Sequence, residues 1–300
     1  MTFLINKLST GFPFNRMLRK NKFLSFLLIF MIALIGFNLS LKILTVEIPV
    51  YGFHDIINLE NPQENPPRRQ SFSTDYKQQD FEAFLDSLLR DNYWFMTTQD
   101  IYDYFLSPEK KPIPKENQKQ KKVMITFDDG YESIHTHVLP VLERLQKKYH
   151  KKAKVVLFIN PAFLGKHGVV LPKVSCSELR KGYQEGFYDI QSHGLNHENL
   201  TQIPQKALEK ELSEAQKQLR KCLKGLDKNN TVGTHLAYPF GAVNPQVVKT
   251  VSRYYLSGYL YNSKMLKIGW RTNRYYLPRF TPNRYQSVRQ LLSQTFGGWF

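Results

Sequence analysis

Residues Lys122 to Gly130 read KVMITFDDG. The run before the aspartates is short and apolar without strict alternation. That pattern fits a strand covered on both faces, as in a parallel sheet. A glycine follows at once, so the chain turns there. Neighbouring residues on a strand point to opposite faces, so the two carboxylates, Asp128 and Asp129, need not share one direction. If the strand stops at Phe127, both lie in the loop after it and can serve two tasks in one pocket.

Working outward, strand and helix patterns alternate. Upstream, VEIPVYGF (46–53) reads as a first strand that ends at His54-Asp55, and residues 58–75 form a Pro/Asn/Gln-rich loop. QDFEAFLDSLLRDN has Phe81, Phe84, Leu85, Leu88 and Leu89 at helical spacing, and Thr97-Thr98 caps a short helix over QDIYDYFL. Residues 107–122 hold six lysines and two glutamates and read as a mobile surface loop. Downstream come a helix over HTHVLPVLERLQKKY with an interior proline, a strand AKVVLFIN, a helix SELRKGYQEG and a strand FYDIQSH. A long helix then carries Leu208, Leu212, Ala215 and Leu219 on one face, followed by THLAYPFG, PQVVKTVSRY and YLSGYLYN. Strands alternating with helices predict parallel βαβ units. The expected fold class is α/β, a distorted (β/α) barrel first and an open doubly wound sheet second. No GxGxxG or GxxxxGK[ST] motif supports nucleotide binding.

The N-terminus sets the expected compartment. Phe23 to Leu41 is nineteen residues without a charge, roughly 28 Å as a helix, about one bilayer core. Lys7, Arg16, Arg19, Lys20 and Lys22 precede it with no acid, which orients the remainder away from the cytoplasm. The expected organisation is a basic cytoplasmic segment (1–22), a transmembrane signal anchor (23–45) and a catalytic domain (46–300). Secretion after signal cleavage is the alternative, although no small-residue cleavage pattern follows the run. The formal net charge of +17 suggests an anionic partner or a solvated basic surface. An outward-facing domain leaves nucleic acid aside. Cys176 and Cys222 are the two cysteines; they exclude a zinc ribbon and leave a single disulfide open.

Active residues of such folds sit at the carboxyl ends of strands. The residues ending each predicted strand are His54-Asp55, Asp128-Asp129, Ser192-His193 with His197 beyond, and Tyr238-Pro239-Phe240-Gly241. His193 and His197 are four apart, within reach of one metal if the turn is helical. Two neutral imidazoles and a carboxylate form a divalent metal site with positions left for water and substrate. Asp129 is then the third ligand, and Asp128 the base that takes the proton of an activated water.

These residues resemble the NodB-homology polysaccharide deacetylases. TFDDG matches the family's first motif. SHGLNH matches the second, of H-[ST]-x-x-H type, with Gly194 where Ser or Thr is usual. AYPFG resembles the third, of R-x-P-[FY] type, and PVYGFHDI and LPRFTP resemble segments of the extracellular poly-N-acetylglucosamine deacetylase branch. The resemblance covers roughly residues 46–290. It implies a distorted (β/α) barrel and a metal-dependent hydrolase of acetylated sugars. In that reading Asp128 is the base and Asp129, His193 and His197 hold zinc, with nickel, cobalt or ferrous iron as alternatives.

Two departures follow. The third motif normally carries an arginine that pairs with the base; here Leu236 and Ala237 stand before Tyr238-Pro239. Arg279 in LPRF is the candidate replacement, a two-point partner from another strand end. The family's late histidine is also missing, since no histidine follows His235. His54 is the first candidate for the general acid and His235 the second; His135 and His137 read as structural or exposed. Tyr238, Pro239 and Phe240 are the expected substrate-binding residues. A backbone N–H beside Tyr238 is expected to stabilise the oxyanion, and Phe240 or Leu195 to cup the acetyl methyl. Residues 264–289 hold seven Lys/Arg, no acid and several aromatics, a surface for a glycan or for lipid headgroups. The expected function is deacetylation of N-acetylglucosamine units in an extracytoplasmic polysaccharide by a monomeric, membrane-tethered enzyme. An O-acetyl esterase and a non-catalytic glycan-binding relative are the alternatives.

Overall fold

The computed structural model describes residues 26–32, 45–166 and 171–295. The chain divides into Met1–Val46 and Glu47–Phe300. Of the predicted span 23–45, residues 26–32 are described, and they are helical. Among the described residues no helix is long and apolar enough to cross a membrane; the predicted cytoplasmic segment 1–22 and most of the predicted anchor lie outside them.

Apolar runs in Glu47–Phe300 become one parallel sheet because both their faces find cover. Its strands are Val50–Phe53 (β1), Trp94–Phe95 (β2), Lys122–Phe127 (β3), Val155–Ile159 (β4), Tyr188–Ser192 (β5), His235–Ala237 (β6) and Ser257–Tyr259 (β7). Their order is β7-β6-β5-β4-β3-β1, every pair parallel, and β2 lies against the start of β3 with Trp94 opposite Lys122. The strand predicted over 46–53 is split at Pro49, which has no N–H to give a ladder. Among the described residues β1 and β7 do not pair with each other. The segment Leu277–Phe280 spans them instead, with Leu277 bridging to Tyr259 and Phe280 to Tyr51. The Leu277 N–H donates to the Gly258 carbonyl at 2.9 Å, and the Phe280 N–H to that of Val50 at 2.7 Å. The sheet is thus a parallel half-barrel whose two edges are bridged into a ring by a short irregular segment rather than by a strand.

The helices follow their caps and stripes. Gln78–Arg90 (α1) buries Phe81, Phe84, Leu85, Leu88 and Leu89. Leu139–Tyr149 (α2) has Pro140 in its first turn, where a missing N–H is harmless; the proline predicted as interior thus marks the helix start, behind a wide turn over Ile134–Val138. Cys176–Gln184 (α3) opens on a capping box between Ser175 and Glu178. Gln205–Cys222 (α4), Pro245–Val251 (α5) and Val288–Thr295 (α6) follow, and the short helix predicted behind Thr97 forms over Thr98–Ile101 on a Thr97–Asp100 capping box. One apolar cluster joins α1, α2 and α3 to β1, β3, β4 and β5; a second packs α4 and α5 against Leu236 and Tyr238. Cys176 and Cys222 form a disulfide across 46 residues, tying the start of α3 to the end of α4. The Lys-rich 107–122 segment is held at both ends, by Lys111 on Asp103 at 2.8 Å and Gln120 on Asn92 at 2.9 Å.

Candidate metal and hydrolytic centre

The two aspartates part company through the backbone. The Asp128 N–H still donates to the Phe53 carbonyl of β1 at 2.9 Å, so Asp128 prolongs the ladder by one residue. Asp129 then takes a left-handed conformation, φ 68°. An ordinary side chain pays strain there, and such strain clusters at functional sites. Asp128 therefore remains within the ring while Asp129 leaves it.

Asp128 is 2% exposed and Arg279 is fully buried. The guanidinium, carried by the closing segment, grips the carboxylate at two points: Nη1 to Oδ1 at 2.7 Å and Nη2 to Oδ2 at 2.8 Å. Its other donors reach Thr126 Oγ1 and the Leu260 carbonyl, each at 2.8 Å, and its carbon lies 5.2 Å from the centre of the Phe158 ring. Gly52 makes room for it, since a Cβ there would lie 3.2 Å from Nη1. Burial alone would raise the Asp128 carboxyl; the Arg279 charge and its hydrogen bonds override it and hold the group well below the usual carboxylate range.

Asp129, His193 and His197 offer three ligand atoms that all lie within 4.8 Å of one another. Asp129 Oδ1 is 3.4 Å from His193 Nε2 and 3.3 Å from His197 Nε2. The His193 Nδ1–H donates to the Ala237 carbonyl at 2.8 Å, which leaves Nε2 unprotonated and aimed at Asp129. Burial, opposed by Asp128 and Asp129, pushes the His193 imidazole down to about 4, so it is neutral at pH 7. His197, at φ 60°, is the second strained ordinary residue of the site. The predicted helical turn does not form: the 193–197 segment is a loop, and its backbone rather than an i, i+4 spacing brings the rings to 5.0 Å. The residues fit a divalent cation. The donor set is two imidazoles and a carboxylate, and Asp129 Oδ1 is buried without a hydrogen-bond partner.

The other predicted residues divide. His54 follows β1, packs edge-on against Tyr261 at 5.2 Å and keeps a buried Nδ1 without a partner. Phe240 is 66% exposed, left-handed at φ 60°, and edge-on to His197 at 4.6 Å. Pro239 is buried beside Gly194. Tyr238 is a correction. Its side chain is fully buried in the second apolar cluster with its hydroxyl on the Tyr275 carbonyl, and its own N–H is spent on the Tyr259 carbonyl. Alternation turns it outward from the ring, so it touches no substrate. His235 begins β6 at the opposite end of the ring, fully buried, with Nδ1 2.7 Å from Ser257 Oγ; it is no proton donor for this site. His137 pairs with Glu64 at 3.0 Å.

Sequence reading missed Asn160 and Glu211. Asn160 follows β4 as Asp128 follows β3, is 2% exposed, and donates to the carbonyls of His193 and Gly194. The polar end of VVLFIN was a usable signal. Glu211 lies mid-helix in α4 and is 3% exposed; nothing in its helical stripe singles it out.

The polysaccharide deacetylase family model matches residues 115–258, the stretch that holds both aspartates, both histidines and the turn at Phe240. A poly-beta-1,6-N-acetyl-D-glucosamine N-deacetylase of Staphylococcus aureus is 29% identical over 206 residues. This chain is thus similar to polysaccharide deacetylases, by the family model over residues 115–258 and by that relative. That alignment covers 67% of this chain and 66% of the relative, just under two thirds of the latter's length. Two solved structures share the fold. A polysaccharide deacetylase from Bacillus cereus gives a TM-score of 0.67 at 20% identity, covering 84% of this chain and 69% of that one. A Streptococcus pyogenes deacetylase in complex with acetate also gives 0.67 at 20% identity, covering 83% and 98%.

Proposed function

We propose that this protein is a polysaccharide deacetylase, a metal-dependent enzyme that removes acetyl groups from N-acetylglucosamine units of an extracytoplasmic polysaccharide. The observation that carries the reading is the pairing of two devices within one ring mouth. One is a buried carboxylate held ionised by a two-point arginine; the other is an Asp/His/His donor set with an orphaned oxygen. The name of the Staphylococcus aureus relative supports the choice of sugar.

Asp129, His193 and His197 would hold the cation. When bound, a divalent metal supplies Lewis acidity that lets a water lose its proton near neutral pH. Asp128, ionised and nearly dry, accepts that proton. Arg279 keeps the base charged and fixes its orientation. As water adds to the acetyl carbonyl carbon and the C–N bond breaks, His54 gives a proton to the departing amine, the proton held by Asp128 replaces it, and acetate leaves. Phe240 offers its exposed ring as an apolar face for the sugar.

The location belongs to the same reading. It is supported by the uncharged nineteen-residue run behind a basic flank and by the Cys176–Cys222 disulfide, which persists in oxidising compartments. In this reading the N-terminal segment tethers the catalytic domain outside the membrane.

The test is acetate release from N-acetylglucosamine oligomers and from acetylated xylan, with and without chelator and zinc re-addition. Release from the first substrate that chelator abolishes and zinc restores is expected. Activity on xylan alone would make the protein an O-acetyl esterase; no release from either glycan would leave a binding relative.

A further inference from the structure

We infer that Glu211 is a positioning residue for the metal-binding loop, and that Gly194 stands in the second motif in order to admit it. This inference rests on the metal reading of Asp129, His193 and His197.

The loop from Gly194 to Glu198 must turn His197 back towards His193. It does so with two left-handed residues, Gly194 at φ 77° and His197 at φ 60°. Without helical hydrogen bonds, its N–H groups need other partners. Glu211 supplies them from α4. Its Oε1 accepts from the Asn196 N–H at 2.6 Å and the Glu198 N–H at 3.5 Å, and its Oε2 accepts from the Asn196 side-chain amide at 3.0 Å. The Asn160 amide braces the same loop from the other side, on the carbonyls of His193 and Gly194. The residues flanking His197 are thus clamped by one carboxylate.

Space makes the link to Gly194. A Cβ on residue 194 would lie 3.0 Å from Glu211 Oε1 and 3.7 Å from the Pro239 ring. A serine or threonine in the left-handed conformation is strained there already, and its side chain would press on the carboxylate that holds the loop. Glycine at 194 and glutamate at 211 therefore form one solution: the brace comes from a helix rather than from a side chain inside the motif. Glu211 faces the loop and has no reach to substrate; it acts through His197.

Cobalt(II) titration of the metal-free full-length protein tests this, reading affinity and the visible absorption of the bound ion, with thermal unfolding alongside. Wild type, Glu211→Gln, Glu211→Ala, Gly194→Ala and the double variant Gly194→Ala/Glu211→Ala are compared. Leu212→Ala is the control; Leu212 is its fully buried neighbour in the apolar cluster between α4 and α5. Removing a group that orients a ligand lowers metal affinity by roughly 10–100-fold. That loss is expected in Glu211→Ala, with an altered spectrum and a smaller loss in Glu211→Gln. The double variant should lose less than the sum of its single changes, and Leu212→Ala should lower the unfolding temperature with affinity kept. Wild-type affinity in a folded Glu211→Ala, or an equal affinity loss in Leu212→Ala, would overturn the inference. If Glu211→Ala does not fold, Glu211→Gln decides by the same affinity criterion. A wild type that binds no cobalt would overturn the metal reading itself, and with it this one.

Discussion

Two buried aspartates sit at the ends of adjacent strands, each against an arginine, and their carboxyls shift in opposite directions. Asp128 follows β3 and has the two-point grip of Arg279 to itself. Asp55 lies two residues beyond β1 and touches Arg69 once, at 2.6 Å. Arg69 also reaches Asp75 at 2.8 Å through both terminal nitrogens. At Asp55 burial dominates, opposed by Ser133 and Arg69, and the carboxyl is raised. At Asp128 the arginine prevails and the carboxyl is lowered. Burial beside a cationic neighbour does not by itself hold a carboxyl low. At Asp128 the paired donors of Arg279, shared with no other carboxylate, meet both oxygens.

The contrast can be broken by exchange. Asp128→Asn keeps shape and removes proton acceptance; acetate release should fall by roughly 10²–10⁴-fold, with circular dichroism confirming the fold. Near-wild-type turnover would show that Asp128 is no base. Arg279→Met leaves the Asp128 charge buried without a partner and should cost about 3–5 kcal/mol in denaturant unfolding. A neutral result would mean that water or another cation takes its place. Arg279→Lys keeps the charge but loses the two-point geometry; a loss of roughly 1.5–3 kcal/mol is expected, about one charged hydrogen bond.

The smallest effect is a change of slope with pH. Asp128, with its folded value below the ordinary 3.8, adds stability above that value which is lost as pH falls through it. Asp55, with its folded value above 3.8, adds stability at low pH which is lost as pH rises. Unfolding temperatures across the acid range should therefore fall less steeply on acidification in Asp128→Asn and more steeply in Asp55→Asn. Slopes that change in the same direction would refute the comparison.

The sequence was most informative where the chemistry is local. KVMITFDDG disclosed a covered strand and its turn because burial on both faces leaves a run of apolar residues. His193 and His197 were legible as neighbours of Asp129 in one cluster, although a strained loop and not a helical turn unites them. Tyr238 was misread because the motif shows that a residue is near the site but not which way it points; strand alternation sent its ring into the outer cluster. Glu211 was invisible, being one glutamate among several on an amphipathic helix.

By itself, then, the sequence determined the alternation of strands and helices and the donor set, since periodicity and short spacings are properties of the chain in one dimension. The sequence offered Arg279 as a candidate partner of Asp128, and the tertiary structure decided the pairing. Arg279 is 151 residues away, on a segment that is no regular strand, and its guanidinium reaches the carboxylate because that segment closes the ring. It also decided the Cys176–Cys222 bond and the clamp of Glu211 on the histidine loop. Each brings together groups far apart along the chain, and burial in the folded barrel is what makes their contacts strong.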